Sequence, residues 1–473
     1  MTRNRLSILI SAFLTILVLP GCASSRSAST GFEDVQSKVS TLIGKEVEWN
    51  PAPQGCINCS VDDALQQKEL TVDDAVQIAL RKNPTLQATF EELGIAEADV
   101  KEAGYMKNPS FFTEVRFPDA KGFTTNTHFD LAFSFIDMLL TPMRKKVEAM
   151  RFDATKTRVT IAVLNLAADV RSAYFQVQAQ QAKLPLRKDA LLAAEAASEF
   201  VQKLEKAKNS PEINTAPKLL QFYQTRLDAG RDALELAGLL EKLSRLMGVP
   251  ASQIKDRIPG KLPDLPPADD MGSPDSLEAL AVAGRLDLEM QRQDVAIVDK
   301  ARSLRQWWAF TAVEPGATTE QGPEAVRVTG PTLQMDLPIF NRGQADRLRL
   351  KAQLRQSQDK LAALELSVRS EVREMLAKIA AARETVEEYQ KNIGPLRAKV
   401  VDLAQGRYNS MTMGAVDLLT AKQEQLASQM EQLDAQRDYW TIRVELERTL
   451  GGRLPAPATT APTQDSTSTD AKK

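Results

Sequence analysis

Two tracts of this chain are helix-forming over lengths that no single globular core can bury. Val159, Val163, Leu166, Val170, Ala173, Val177 and Leu184 recur in alternating steps of four and three, with Gln180 as the polar member of the seam. Leu350, Leu354, Leu361, Leu364 and Val368 hold the same seam further on, flanked by Lys, Arg, Gln and Glu. At a rise of 1.5 Å per residue, tracts from Asp137 to Asn209 and from Gly343 to Asn409 each reach on the order of 100 Å. Pro185 and Gly394-Pro395 are expected to bend or interrupt these rods. Each rod meets a helix-to-helix turn, Asn209 to Pro217 in the first case and Tyr408 to Leu419 in the second. Return helices over Leu219 to Gly248 and Val416 to Leu450 then run antiparallel to the rods.

The segments before the rods also correspond. Leu70-Thr71-Val72-Asp73-Asp74-Ala75-Val76 begins a helix that Thr71 or Asp73 can cap, and Asp275-Ser276-Leu277-Glu278-Ala279-Leu280-Ala281 begins its counterpart. Both lead through an Ala-rich charged helix into β-favouring sequence, so a duplicated unit is the simplest account. In Phe111 to Phe117, positions 111, 115 and 117 are apolar while Glu114 and Arg116 point the other way. Phe129, Leu131, Phe133 and Phe135 alternate with Asp130, Ala132 and Ser134, giving one lipid-compatible face and one wettable face. Leu333, Met335, Leu337 and Ile339 alternate with Gln334, Asp336 and Pro338, and a weaker strand is expected to start near Trp307-Trp308. Loops are expected at 118 to 126 and at 314 to 325. Two hairpins per chain follow, and since small closed barrels need about eight strands, the chain must oligomerise or pack its hairpins on a soluble core.

Composition narrows the partners. Lys plus Arg number 60 against Asp plus Glu 62, a formal net charge of -2, so there is no broad attraction for nucleic acid. One histidine, His128, no Gly-rich phosphate loop and no metal-ligand cluster leave no machinery for an enzyme and call for no cofactor or metal. The isolated pair Cys56 and Cys59 fits a local disulfide or two idle thiols, with metal delivery the remaining alternative. Arg3 and Arg5, the apolar run Leu6 to Leu19 and then Leu19-Pro20-Gly21-Cys22 resemble a bacterial lipobox, which makes Cys22 the expected lipidated N-terminus. Beyond it no run of 18 apolar residues occurs, so any bilayer crossing is expected to be made by a barrel.

Taken in order, several motifs resemble the TolC-like outer-membrane factors. They are Leu70 to Leu80 with Asn83-Pro84, Ala96 to Ala103 running into Asn108-Pro109-Ser110, Leu337-Pro338-Ile339-Phe340 with Gly343, and Tyr408 with Gly414 and Leu418-Leu419. Leu243 to Gly248 and Leu446 to Gly451 end the two repeats in the family's manner. The chain departs from the pattern at Arg285-Leu286-Asp287-Leu288, with Leu where proline is common, and in its Pro-rich first turn.

The resemblance implies a mainly α fold with a small membrane β part, in which a homotrimer builds a periplasmic α-barrel and a twelve-stranded transmembrane β-barrel from four strands per chain. It implies a passive efflux duct, lipid-anchored in the outer membrane and extending into the periplasm, that serves a periplasmic adaptor protein and an inner-membrane pump. Heavy-metal cations are one candidate cargo. By position, adaptor-docking or gate residues are expected at Asn214, Thr215, Tyr408, Thr412, Met413 and Gly414. The corresponding layout is a signal peptide at 1–21, an anchored extension at 22–69, repeats at 70–250 and 275–452 joined by a linker at 251–274, and a disordered tail at 453–473. A lipid-anchored coiled-coil structural or adhesive protein without a channel is the alternative; it would need the rods but not the hairpins.

Overall fold

The computed structural model describes residues 29–49, 69–119, 122–267, 273–307, 313–322, 324–337 and 339–452. The expected signal peptide, Cys22, Cys56, Cys59, Trp308, Pro338 and the tail at 453–473 lie outside the described residues.

A short helix, α1 (Ser29–Ile43), buries Val35 and Val39 against the main body. Thr71 then starts α2 (Val72–Lys82) with a reciprocal capping box: its hydroxyl accepts from the Asp74 amide at 3.2 Å, and the Asp74 carboxylate accepts from the Thr71 amide at 3.2 Å. Asn83 turns the corner into α3 (Pro84–Gly104), its side-chain oxygen accepting from the Leu86 amide at 2.9 Å. Pro84 suits this first helical position because its missing N–H would be unpaired there in any case. Strands β1 (Ser110–Arg116) and β2 (Asn126–Ala132) follow, and then the rod α4 (Phe135–Lys206) and its return α5 (Glu212–Met247). The second half repeats this order with α6 (Pro274–Gly284), α7 (Leu286–Trp307), β3 (Val313–Gln321), β4 (Arg327–Met335), α8 (Gln344–Glu388), a π turn (Tyr389–Ile393), α9 (Gly394–Asn409) and α10 (Ala415–Thr449).

The predicted seams form the core. Val159, Val163, Val170, Ala173 and Val177 are buried, and Gln180 is buried with its amide donating to the Asp232 carbonyl at 3.0 Å. In the second rod Leu354 and Val368 are buried and the stripe continues through Val372, Ile379 and Val386. The rod α4 packs against both α5 and α10, so the two halves share a wall. Ion pairs fasten that wall: Arg171 to Glu447, Lys183 to Asp434 at 3.0 Å, and Arg448 to Asp169 at 3.8 Å.

The two proline sites behave differently from each other. Helix α4, 72 residues long, runs through Pro142 and Pro185 without interruption. An interior proline costs about 3 kcal/mol, but Gln180, Lys183 and Arg187 all bind neighbouring helices within five residues of Pro185 and hold the helix across it. At Gly394-Pro395 the second rod widens instead of breaking. The Gly394 amide donates to Tyr389, five residues back, which closes the π turn and gives the Pro395 ring the space a regular turn would deny it. One further effect is visible downstream. Leu396, Val400 and Leu403, which continue the upstream heptad positions, are exposed, while Ala404 is buried in their place.

The sheet corrects the predicted strand limits. The chain remains helical to Trp307, and β3 occupies Val313–Gln321, where a loop was expected; only 322–326 connects it to β4. Pro315, Gly316 and a run of Thr and Glu read as turn residues, yet Pro315 pairs with β4 and Gly316 to Gln321 are paired on both sides. A side chain at Gly316 would meet the Leu131 carbonyl oxygen at 2.5 Å and Thr332 Oγ1 at 2.8 Å, so the glycine marks close strand approach rather than a turn. Phe133 and Phe135 fall beyond β2 because Ser134 caps α4, accepting from the Asp137 amide at 3.4 Å. Leu337 and Ile339 likewise lie beyond β4, on the approach to Gly343, which begins α8 at φ 75°.

Both return helices finish alike. Gly248 (φ 69°) sits against the Lys82 carbonyl and Asn83, while Gly451 (φ 85°) sits 3.0 Å from the Gly284 carbonyl oxygen and beside Arg285, measured from where a side chain would begin. Gly248→Ala therefore combines a left-handed backbone with a backbone clash, and should cost about 2–3 kcal/mol. Gly238→Ala, with open space around it, should cost nothing or gain up to ~1 kcal/mol of helix propensity. Thermal melts of the two variants check the contrast.

Candidate channel wall and hairpin tips

The four strands form one antiparallel sheet in the order β1-β2-β3-β4, so the hairpins of the two halves join through β2 and β3. Direct pairing puts residues on a common face. Phe111 lies opposite Leu131 and Leu131 opposite Ala317; Val115 opposes Thr127; Val313 opposes Met335 and Pro315 opposes Leu333. Together with Phe129 these make an apolar face whose large side chains are exposed. The opposite face carries Glu114, His128 and Glu320 in one row across three strands, with Asp130, Thr318, Glu314 and Gln334 beside it. Phe112 and Val328 are its apolar exceptions. His128 Nε2 lies 2.7 Å from Thr318 Oγ1, Glu114 holds Arg116 at 2.9 Å, and the Phe112 ring meets the His128 ring edge-on at 5.8 Å. The expected alternation of Glu114, Arg116 and Asp130 against the aromatics is what the register produces. Among the described residues, β1 and β4 each have one edge with no strand beside it.

At the far end of the rods the second turn is a tight cap. Met411 takes a left-handed conformation (φ 59°) and is almost wholly exposed, and the Thr412 amide and hydroxyl both donate to the Arg407 carbonyl, at 2.9 and 3.1 Å. Tyr408, Thr412 and Gly414 are exposed and Met413 is half-buried; Gly414 starts α10 at φ −73°, a conformation open to any residue. The first turn is shorter than expected, since α5 begins at Glu212 and runs through Pro217. Asn214 is exposed, with its side-chain amide 3.2 Å from Ser210 Oγ. Thr215 is buried and its hydroxyl has no hydrogen-bond partner among the described residues. The six candidate tip residues therefore divide into two groups, one on each hairpin.

Contacts between the hairpins lie just behind the tips. Lys218 Nζ donates to Thr420 Oγ1 at 3.0 Å, and the Gln221 amide donates to Gln423 at 2.7 Å, which sets the two turns side by side at one end of the molecule. Sequence reasoning missed these pairs. Their signal was available, because each partner stands 202 residues from the other, at matching distances beyond the two turns.

Sequence reasoning noted the Arg285-Leu286 departure without a physical account, and the structure supplies one. Where the first half has Asn83-Pro84, Arg285 grips Asp287 through Nε and Nη2 at 3.0 and 2.6 Å and reaches Glu371 at 2.5 Å. Arg285 and Asp287, together with Arg171, Arg443 and Glu447, line a cavity of about 480 Å³ between the halves. Among the described residues no group of three or more His, Cys, Asp or Glu is arranged to hold a metal ion, and no helix is long and apolar enough to cross a membrane.

Residues 300–452 match the family model described as outer membrane efflux protein. That match is confined to the second half; over most of its length the chain has the fold of solved outer membrane channels. Among solved structures it is similar to the CmeC outer membrane channel of Campylobacter jejuni, with 14% identity, a TM-score of 0.68, and coverage of 86% of this chain and 95% of that one. It is also similar to the open-state MtrE outer membrane channel of Neisseria gonorrhoeae, with 15% identity, a TM-score of 0.63, and coverage of 86% and 98%. CusC, whose structures concern folding and transmembrane channel formation, matches at 16% identity and a TM-score of 0.62, covering 87% of this chain and 99% of that one. No curated protein matches the sequence.

The Arg285 cluster is pH-sensitive with a definite sign. Burial pushes the Asp287 carboxyl up, but the Arg285 guanidinium and the Leu288 amide outweigh it and hold it below the usual carboxylate range. A depressed carboxylate stabilises the fold above its unfolded pKa of ~3.9 and loses that contribution as the pH falls through the folded value. Asp287→Asn should lower the thermal midpoint by about 2 °C at neutral pH, allowing for partial exposure. The gap from the parent should close in strong acid.

Proposed function

We propose that three copies of this chain close into a twelve-stranded barrel in the outer membrane and a continuous helical barrel in the periplasm, forming the exit duct of a tripartite efflux system. The observation that carries this reading is the sheet: it has an apolar face, a wet face and two unpaired edges. In lipid an open edge leaves backbone groups without partners at several kcal/mol each, so β1 of one copy pairs with β4 of the next. A coiled-coil rod without a channel would need neither the two-faced sheet nor those edges.

In this reading Cys22 carries the acyl anchor. The tips take the adaptor and gate the periplasmic aperture. Tyr408, Thr412 and Met413 on the second hairpin and Asn214 on the first provide adaptor contacts, buried Thr215 belongs to the packing that must shift on opening, and Gly414 marks where α10 starts. An inner-membrane pump supplies the cargo. Glu114, Asp130, Glu314 and Glu320 on the wet face favour cations, and heavy-metal ions are one class the duct would pass.

Single-channel recording in planar bilayers, beside the mass of the detergent-solubilised oligomer, tests the proposal. A conducting trimer is expected; a monomer or dimer that never conducts would refute it. Leu131→Arg, on the apolar face, should cost about 2–4 kcal/mol and abolish membrane assembly. Asp130→Arg, one residue away on the wet face, should leave the trimer intact and shift the reversal potential towards anions.

A further inference from the structure

The strands are too short to cross an outer membrane by themselves. At ~3.3 Å per residue and a tilt of ~40°, strands of seven to nine residues stand roughly 18 to 23 Å tall, against an apolar band of about 25 Å. Exposed apolar side chains continue past the periplasmic ends of β2 and β4 and onto the helices. Phe133, Phe135, Met138 and Leu139 do so in the first half, and Leu337, Ile339, Phe340 and Leu348 in the second. In both halves cations follow within two helical turns. Lys145 and Lys146 stand seven residues beyond Met138 and Leu139, on the same side of α4. Lys351 and Arg355 stand three and seven residues beyond Leu348 on α8.

These cations are uncommitted. Lys145, Lys146, Lys351 and Arg355 are exposed, and none has an ion pair among the described residues. The nearby acids are engaged elsewhere: Asp137 holds Lys107 and Arg144 at 3.0 and 3.1 Å, Glu148 holds Arg151 at 2.8 Å, and Asp346 holds Arg349 at 3.1 Å. An apolar surface ending in unpaired cations two helical turns on matches the boundary between acyl chains and anionic headgroups.

Resting on the barrel reading above, we infer that the periplasmic boundary of the membrane lies on the first turns of α4 and α8 and that Lys145, Lys146, Lys351 and Arg355 form a belt that binds anionic phospholipid. The cations supply headgroup recognition, and Met138, Leu139 and Leu348 meet the acyl chains. The same arrangement in both halves would place two such patches on every copy.

The test uses the purified full-length assembly in nanodiscs of phosphatidylcholine with increasing phosphatidylglycerol, read by native mass spectrometry for retained lipid. The same spectra give the copy number, so failure to embed as a trimer counts against the barrel reading and is seen separately from lipid preference. The parent should retain phosphatidylglycerol over phosphatidylcholine. Lys145→Gln/Lys146→Gln and Lys351→Gln/Arg355→Gln should each lose that preference, about fivefold per cation removed, while Lys145→Arg/Lys146→Arg should keep it. Each pair is tested alone, so a failure of the fourfold variant to assemble does not matter. An embedded trimer with no preference, an unchanged preference in both Gln pairs, or displacement of the lipid by inorganic phosphate at matched concentration would overturn the inference.

Discussion

Backbone hydrogen bonding along the outer edges of β1 and β4 constrains this chain more than any side chain does. Within one copy the two middle strands are fully paired and the two outer ones are half-paired. Water would tolerate that condition, and hydrocarbon does not. With an apolar surface already covering one side of the sheet, neither a free monomer nor a membrane-embedded one satisfies both the side chains and the backbone. In the proposed barrel, closure with further copies would satisfy both, and the helices below the sheet would have to be compatible with a ring.

The helical part meets that requirement through a polar core. Along α4, buried or half-buried Gln180, Lys183, Arg187 and Arg171 reach Asp232, Asp434 and Glu447 on the two flanking helices. Partly buried pairs of this kind add little net stability compared with well-packed apolar residues, but breaking one partner away is costly. Their effect is to fix which helices lie beside α4 and at what height. A seam of Val and Ala alone could slide by one heptad; a row of pairs with fixed spacing cannot. The rods are thus held in one register over their length, as a wall with defined gaps requires.

Much of this was legible in the sequence because periodicity is a local property. The seams of α4 and α8, the Thr71 cap, the Asn83-Pro84 corner and the alternation of β2 all follow from spacings within a few turns or strand residues. What sequence reasoning missed depended on distant partners. Nothing near Val313 to Gln321 marks it as a strand, since its pairing comes from Leu131 and Thr332, far away in sequence, and its glycine fits only because of them. The continuity of α4 through Pro185 has the same origin: the contacts that hold the helix across it come from Asp232 and Asp434. At the tips, α5 begins earlier than its sequence suggests, because Pro217, an interior proline that reads locally as a break, is carried within the helix. The Lys218–Thr420 and Gln221–Gln423 contacts needed the duplication to be read as a spatial superposition as well as a likeness of sequence.

The π turn at Tyr389–Ile393 adds one residue to a helix whose neighbours do not follow suit. Upstream, the Leu and Val positions of the heptad face the chain's own helices; downstream, the same positions are rotated by the angle of one residue, about 100°. Leu396, Val400 and Leu403 end up pointing away from the body that holds the rest of the rod, and small Ala404 takes the inward place. The lower third of this rod is therefore laid against its own hairpin by its weaker side and shows its stickier side outward. A phase slip of this kind divides one helix into two pieces with different loyalties: an upper shaft committed to the chain's own fold, and a lower blade whose best surface is left for whatever comes beside it.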